Sequence, residues 1–161
     1  MIRNILFICY ANTCRSPAAQ ELGELYAKKY DLKGVSFDSA GWHIAFDHAQ
    51  SETIEYLNLK GIEMSDFKPK PITQALIEEQ DLIIGMERYQ LTKIRNKFKA
   101  LKENLKGKLY TLKEFNGADK HELNIPDPYK TEKDRYFEIL EIVEENVEML
   151  VKKVKQINQA R

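Results

Sequence analysis

Cysteine is scarce in this 161-residue chain: there are two, Cys9 and Cys14. They are too few and too close together to make a disulfide scaffold, so a reactive thiol is the better reading. Histidine is scarce too. Its three copies are scattered, and there is neither a His-x3-His nor a Cys-x2-Cys pair. No metal and no cofactor is therefore expected. Charge of one sign is not in excess, since 25 Lys plus Arg balance 25 Asp plus Glu. Nucleic-acid binders usually carry a basic surplus, so nothing global points to DNA, RNA or anionic lipid. Long apolar runs are missing as well. None approaches the roughly 20 residues that span a bilayer, and the apolar stretch 5–8 ahead of Cys9 is too short for a signal-peptide core. The expectation is a cytoplasmic protein with no membrane or nucleic-acid partner, present as a monomer or weak dimer.

Hydrophobic residues make up 43% of the chain and charged ones 31%, an ordinary globular balance. The length fits one domain covering 1–161. Residues 3–9 read as a short buried strand, and Ser16-Pro17 opens a helix that runs from Ala18 to about Tyr30. A second strand is expected at 35–40, and a helix at 48–60 stopped by Gly61. Pro69 and Pro71 mark a loop. A third strand at 81–86 leads into a charged helix near 87–99, and a fourth strand at 108–112 leads into a polar loop from about 114 to 131. Tyr136, Leu140, Val143, Val147, Leu150, Val154 and Ile157 put one apolar stripe on a last helix of about 25 residues. Strands alternating with helices imply an α/β fold: a three-layer sandwich with a four-stranded parallel sheet and helices on both faces. Ligands of such folds bind at the carboxyl ends of the strands, which here means residues 9–16.

That segment is Cys9-Tyr10-Ala11-Asn12-Thr13-Cys14-Arg15-Ser16. Successive amides of a strand-to-helix loop, with the helix N-terminus, make a concavity that attracts a dianionic phosphate. Arg15 adds a planar fork matched to two phosphate oxygens. A thiol at the start of the loop feels the same positive field, which favours the nucleophilic thiolate. Ser16 is placed to donate a hydrogen bond to that sulfur.

Cys-x5-Arg-Ser-Pro within the first twenty residues resembles the low-molecular-weight protein tyrosine phosphatases. Asp38-Ser39-Ala40-Gly41 and Asp81-Leu82-Ile83-Ile84-Gly85-Met86-Glu87 are similar to the ends of that family's second and third strands. Pro126-Asp127-Pro128-Tyr129 is similar to its general-acid loop. The resemblance covers nearly the whole chain in the family's order. It implies a metal-free, two-step hydrolysis of phosphate monoesters on phosphorylated proteins. Cys9 attacks phosphorus to give a cysteinyl-phosphate, Arg15 and the loop amides hold the phosphate, and Asp127 serves as general acid and then base. It further implies that Tyr10, Ala11, Asn12, Thr13, Cys14 and Ser16 contact the phosphate-bearing substrate. Asn12 and Ser39 would hold the loop by hydrogen bonds, and Tyr129, with Trp42 or His43, would wall the pocket. Cys14 stands where the family often has a second thiol, which implies a reversible, protective disulfide with Cys9 under peroxide.

Several positions depart from the family's pattern. Ala11 replaces a loop glycine, and a positive φ there would strain it by roughly 1 kcal/mol. Asp66 stands in place of a histidine that supports Asn12, and Lys130 in place of a second tyrosine. The 40–47 loop is short. Thr13 resembles the branch that removes phosphate from arginine, whereas Tyr129 resembles the tyrosine-specific branch, so protein-arginine phosphatase is the alternative. An arsenate reductase on the same fold would need further cysteines that this chain lacks after Cys14. A non-catalytic phosphate-binding regulator is the reading from a different class. The basic residues between Lys93 and Lys108 read as a solvated helix face that could help dock an acidic phosphoprotein.

Overall fold

The computed structural model describes residues 1–160. Four strands form one sheet: β1 (Asn4–Cys9), β2 (Ser36–Gly41), β3 (Leu82–Gly85) and β4 (Leu109–Thr111). Their order is β2-β1-β3-β4, and every neighbouring pair is parallel. The helices are α1 (Arg15–Lys29), α2 (Ser51–Asn58), α3 (Gln74–Glu78), α4 (Arg88–Lys97), α5 (Lys102–Leu105), α6 (Leu112–Phe115) and α7 (Lys133–Gln159).

β1 explains the layering. Its side chains alternate between the two faces of the sheet, and both faces are buried. Ile5, Phe7 and Cys9 point into a core built with α1, α2, α6 and α7. Leu6 and Ile8 point into a second core with Ile77 of α3, Leu91 and Ile94 of α4, and Leu105 of α5. The expected α/β sandwich with helices on both faces is the observed one. The α7 stripe is buried from Tyr136 to Val154 and also includes Ile139 and Val151, while Ile157 is only partly buried.

Some boundaries differ, each for a local reason. α1 starts at Arg15 rather than Ala18, with Pro17 in its first turn, where a missing N–H is tolerated. α2 is shorter than 48–60, and Gly61 past its end takes the left-handed φ of 78° expected of a helix stop. β4 ends at Thr111 because Leu112 already belongs to α6. The Thr111 hydroxyl caps that helix by accepting from Glu114 N at 3.0 Å. Thr73 caps α3 in the same way, in a stretch given no helix from sequence.

Three strands thus deliver Cys9, Gly41 and Met86-Glu87 to one end of the sheet. The β1–β2 register sets Cys9 opposite Gly41.

Candidate active site

β1 ends at Cys9, and α1 begins at Arg15, so five residues turn the chain through the loop. The left-handed residue of that loop is Asn12, with φ 55°; Ala11 is not among the positive-φ residues. The strain expected at Ala11 therefore does not arise. Asn tolerates this conformation better than most residues, and its side chain ties it down on both sides. Asn12 Nδ2 donates to Ser16 Oγ at 2.8 Å, and Asn12 Oδ1 accepts from Lys70 N at 3.0 Å. The backbone of Lys70 thus supplies the support whose loss was expected from Asp66, which is exposed. The Ser39 hydroxyl does not reach the loop; it donates to Gln20 of α1.

Cys9 Sγ lies 2.9 Å from Ser16 Oγ. That oxygen already accepts from Asn12, so its own proton is available to the sulfur. Residues 9, 12 and 16 form one buried chain of donors ending on Cys9.

Arg15 is 1% exposed. Its Nη1 donates to the Glu87 carboxylate and to Ile125 O at 2.6 Å. Its Nη2 stands 3.9 Å from Asp127 Oδ2. Its Nε is buried without a partner among the described residues. A buried donor without a partner is costly, and a phosphate oxygen would satisfy it. Burial pushes the Arg15 guanidinium down, but Cys9, Glu87 and Asp127 outweigh it and raise it above its ordinary value. It stays a cation.

Asp127 arrives on a segment stitched to the exit of β3. Ile125 N donates to Met86 O at 2.9 Å, and Arg88 N donates to Asn124 Oδ1 at 2.8 Å. Asp127 Oδ1 accepts from Tyr129 N at 3.0 Å, which fixes the turn and leaves Oδ2 on the side of Arg15. Burial pushes the Cys14 thiol up to about 12, the neighbouring Cys9 adds to that, and hydrogen bonds with Tyr136 and Thr13 oppose it.

Cys9, Cys14, Arg15 and Asp127 share a cavity of about 180 Å³, and the expected substrate contacts Asn12 and Ser16 are not in its lining. Cys9, Ala11, Thr13, Cys14 and Arg15 line it on the loop side, with Asp127 on the rim. Its walls are aromatic. Phe46 meets Tyr129 edge-on at 6.3 Å, and Tyr10 stacks on His43 at 5.8 Å. Trp42 is not among the lining residues; its ring lies under Lys93 and Lys97 at 5.0 and 5.6 Å. The wall expected of Trp42 is made by its neighbours, because Trp42 N and His43 N both donate to Tyr10 O and so turn the chain at that point. Glu87, the Ile125 carbonyl and Phe46 were not predicted. Glu87 had one visible signal, its place just past a buried strand.

A sequence model of low molecular weight phosphotyrosine protein phosphatases matches residues 4–160. The chain belongs to that family. It is a phosphatase built on this fold, and the resemblance carried by Cys9, Arg15-Ser16-Pro17 and Asp127 extends over the whole chain. A probable low molecular weight protein-tyrosine-phosphatase EpsP of Ralstonia nicotianae is 30% identical over 98% of this chain and 99% of its own. A protein-arginine-phosphatase of Bacillus subtilis is 29% identical over 95% and 97%. Among solved structures, the YwlE arginine phosphatase from Geobacillus stearothermophilus superposes with a TM-score of 0.85 at 28% identity, covering 99% of this chain and 97% of that one.

Proposed function

We propose that this protein removes phosphate from tyrosine side chains of proteins, with Cys9 as nucleophile. The observation that carries the reading is the convergence of three groups on one small cavity: the Cys9 sulfur bonded to Ser16, the unpartnered Arg15 Nε, and Asp127. The Cys9 thiolate attacks phosphorus, the bond to the tyrosine oxygen breaks, and Asp127 gives that oxygen a proton. Water then attacks the cysteinyl-phosphate while Asp127 takes its proton. The leaving sulfur is stabilised by the Ser16 hydroxyl. Arg15 and the N-terminus of α1 hold the equatorial oxygens as charge spreads over them. The Phe46–Tyr129 and Tyr10–His43 pairs offer aromatic faces against which a phosphotyrosine ring can stack. A thiolate nucleophile needs a reducing compartment, which supports the cytoplasm as its site of action. The two thiols line the same cavity, which supports a protective Cys9–Cys14 disulfide under peroxide.

Thr13 favours a second reading. It lines the cavity and is buried, and its hydroxyl lies 3.5 Å from Gln50 Nε2, so it offers a polar group beside the phosphate site. This supports phosphoarginine as the substrate, as do the arginine phosphatases among the relatives. Turnover of p-nitrophenyl phosphate, abolished in Cys9→Ser and unaffected by EDTA, is expected; no turnover between pH 5 and 8 overturns both readings. Phosphotyrosine and phosphoarginine peptides then separate them. Thr13→Ile should shift the ratio further toward phosphotyrosine if Thr13 matters to the choice.

A further inference from the structure

One edge of the cavity mouth continues onto α4. Tyr10 lines the cavity and is exposed, and Lys93 Nζ stands 5.9 Å from the centre of its ring. The same Nζ is 5.0 Å from the Trp42 ring, with Lys97 Nζ 5.6 Å from it. Lys93 and Lys97 are four residues apart on one helix, so their side chains lie on the same face. His43, Tyr10 and Trp42 thus form an aromatic shelf leading out of the cavity, with two cations resting on it. Neither lysine takes part in an ion pair among the described residues. Lys60, Lys70 and Lys133, by contrast, are each paired to a carboxylate. Resting on ring faces places an ammonium without consuming its N–H donors. Across the mouth, Lys130 lies over Tyr129 at 5.5 Å and adds to the same sign of charge. The chain as a whole is neutral, and the carboxylates beside the cavity, Glu87 and Asp127, are turned to Arg15 rather than to these lysines.

We propose that Lys93 and Lys97 form a cationic lip that selects protein substrates with an acidic side chain one or two residues from the phosphorylated residue. The proposal rests on the phosphatase reading above and names the substrate class of that same site. A chain lying extended across the mouth advances about 3.3–3.6 Å per residue. A substrate chain leaving the cavity over Tyr10, whose ring both lines the cavity and carries Lys93, would put an Asp or Glu one or two residues along on the side of that lysine. The lip acts on substrate capture and touches no reacting atom, so its effect falls on KM more than on kcat.

The test uses synthetic phosphotyrosine peptides identical except for Glu, Gln or Lys at the flanking positions, and the same set with phosphoarginine. The outcome then does not hinge on which phosphoresidue the cavity prefers. For the wild type at low ionic strength, kcat/KM for the Glu peptide should exceed that for the Gln peptide by about fivefold. The difference should reside in KM and collapse toward unity near 0.5 M salt, where screening is short-ranged, on the order of 4 Å. The double variant Lys93→Glu, Lys97→Glu should invert the order and favour the Lys peptide, and the Gln peptide reports whether that variant is folded. The salt series on the wild type needs no variant at all. Equal turnover of the Glu and Gln peptides, or a Glu preference that survives in the double variant, overturns the lip and leaves the phosphatase reading standing. No turnover of any peptide overturns the phosphatase reading, and the lip with it.

Discussion

Adding one methyl group at Gly41 should damage catalysis far more than folding. A Cβ built there would stand 2.7 Å from Asn12 N, 2.9 Å from the Ala11 carbonyl carbon and 3.0 Å from Asn12 Cβ. Comfortable carbon contacts begin near 3.5 Å, so the worst of these is short by roughly 0.8 Å. None of the three atoms is the tip of a side chain that can swing aside. Either the end of β2 or the loop must move. The strand end is held by its pairing with β1, by Gly41 N donating to Lys70 O at 2.9 Å, and by Ile72 N donating to Gly41 O at 3.0 Å. The loop, residues 10–14, lies outside the sheet ladder and is the part free to shift, carrying Asn12 and with it the Ser16–Cys9 contact. Overpacking of this kind costs about 1–3 kcal/mol. A displacement of about 1 Å at a reacting group costs on the order of 10²-fold in rate. The assay is kcat with p-nitrophenyl phosphate for Gly41→Ala, alongside its urea midpoint. The expected result is a folded protein, modestly destabilised, with kcat reduced about 10²-fold. A kcat within twofold of wild type would refute the claim that the loop rests against the strand.

Asp127→Ala should lower kcat by about 10²-fold or more, most strongly for substrates with poor leaving groups; an unchanged rate with a phosphotyrosine peptide would remove Asp127 from the mechanism. Acid stability should depend on Glu144, which accepts hydrogen bonds from Tyr26 and Tyr56 and pairs with Lys60 at 2.8 Å. Burial pushes its carboxyl up, but the bonds from Lys60, Tyr26 and Tyr56 outweigh burial and hold it below the usual 4.5. A carboxyl lowered on folding adds stability above its unfolded pKa and loses it as pH falls through the folded one. The wild-type urea midpoint should therefore fall as pH drops below about 4.5, and Glu144→Gln should show a shallower fall over the same range. Equal slopes would remove Glu144 from the acid response.

The parts of the site that were legible in the sequence are local ones. Cys9, Arg15 and Ser16 sit within eight residues of one another, and a strand-to-helix turn makes their meeting unavoidable. The apolar run of β1 and the stripe of α7 are read from the sequence alone, the first because a central strand is buried on both faces and the second because burial of one helix face follows from period. What was not legible depends on contacts across long stretches of chain. Asn12 is held by Lys70, Arg15 by Glu87 and Ile125, and no spacing rule links those positions. Ala11 stands where the family usually has glycine, which leaves open whether its φ is positive; the turn puts that angle one residue later, at Asn12. Of the alternatives Trp42 and His43, His43 lines the cavity and Trp42 lies one residue short of it. In a loop this brief, which side chain faces inward depends on the two bonds to Tyr10 O. The ends of β4 and α3 turned on single threonine hydroxyls, a signal visible only once the helix that each one caps is known.

The dependence of Arg15 on residues more than seventy positions away has a consequence for how the enzyme comes into being. A nascent chain that has exposed its first sixty residues already carries Cys9, Arg15 and Ser16 in order. It lacks Lys70 to steady the loop, Glu87 and Ile125 to steer the guanidinium, and Asp127, the proposed proton donor. On the proposed mechanism the thiol motif is far from full activity during synthesis, and it gains its supports only when the later segments close over the sheet. The return of full activity during refolding should therefore report the docking of Lys70, Glu87, Ile125 and Asp127 around the loop.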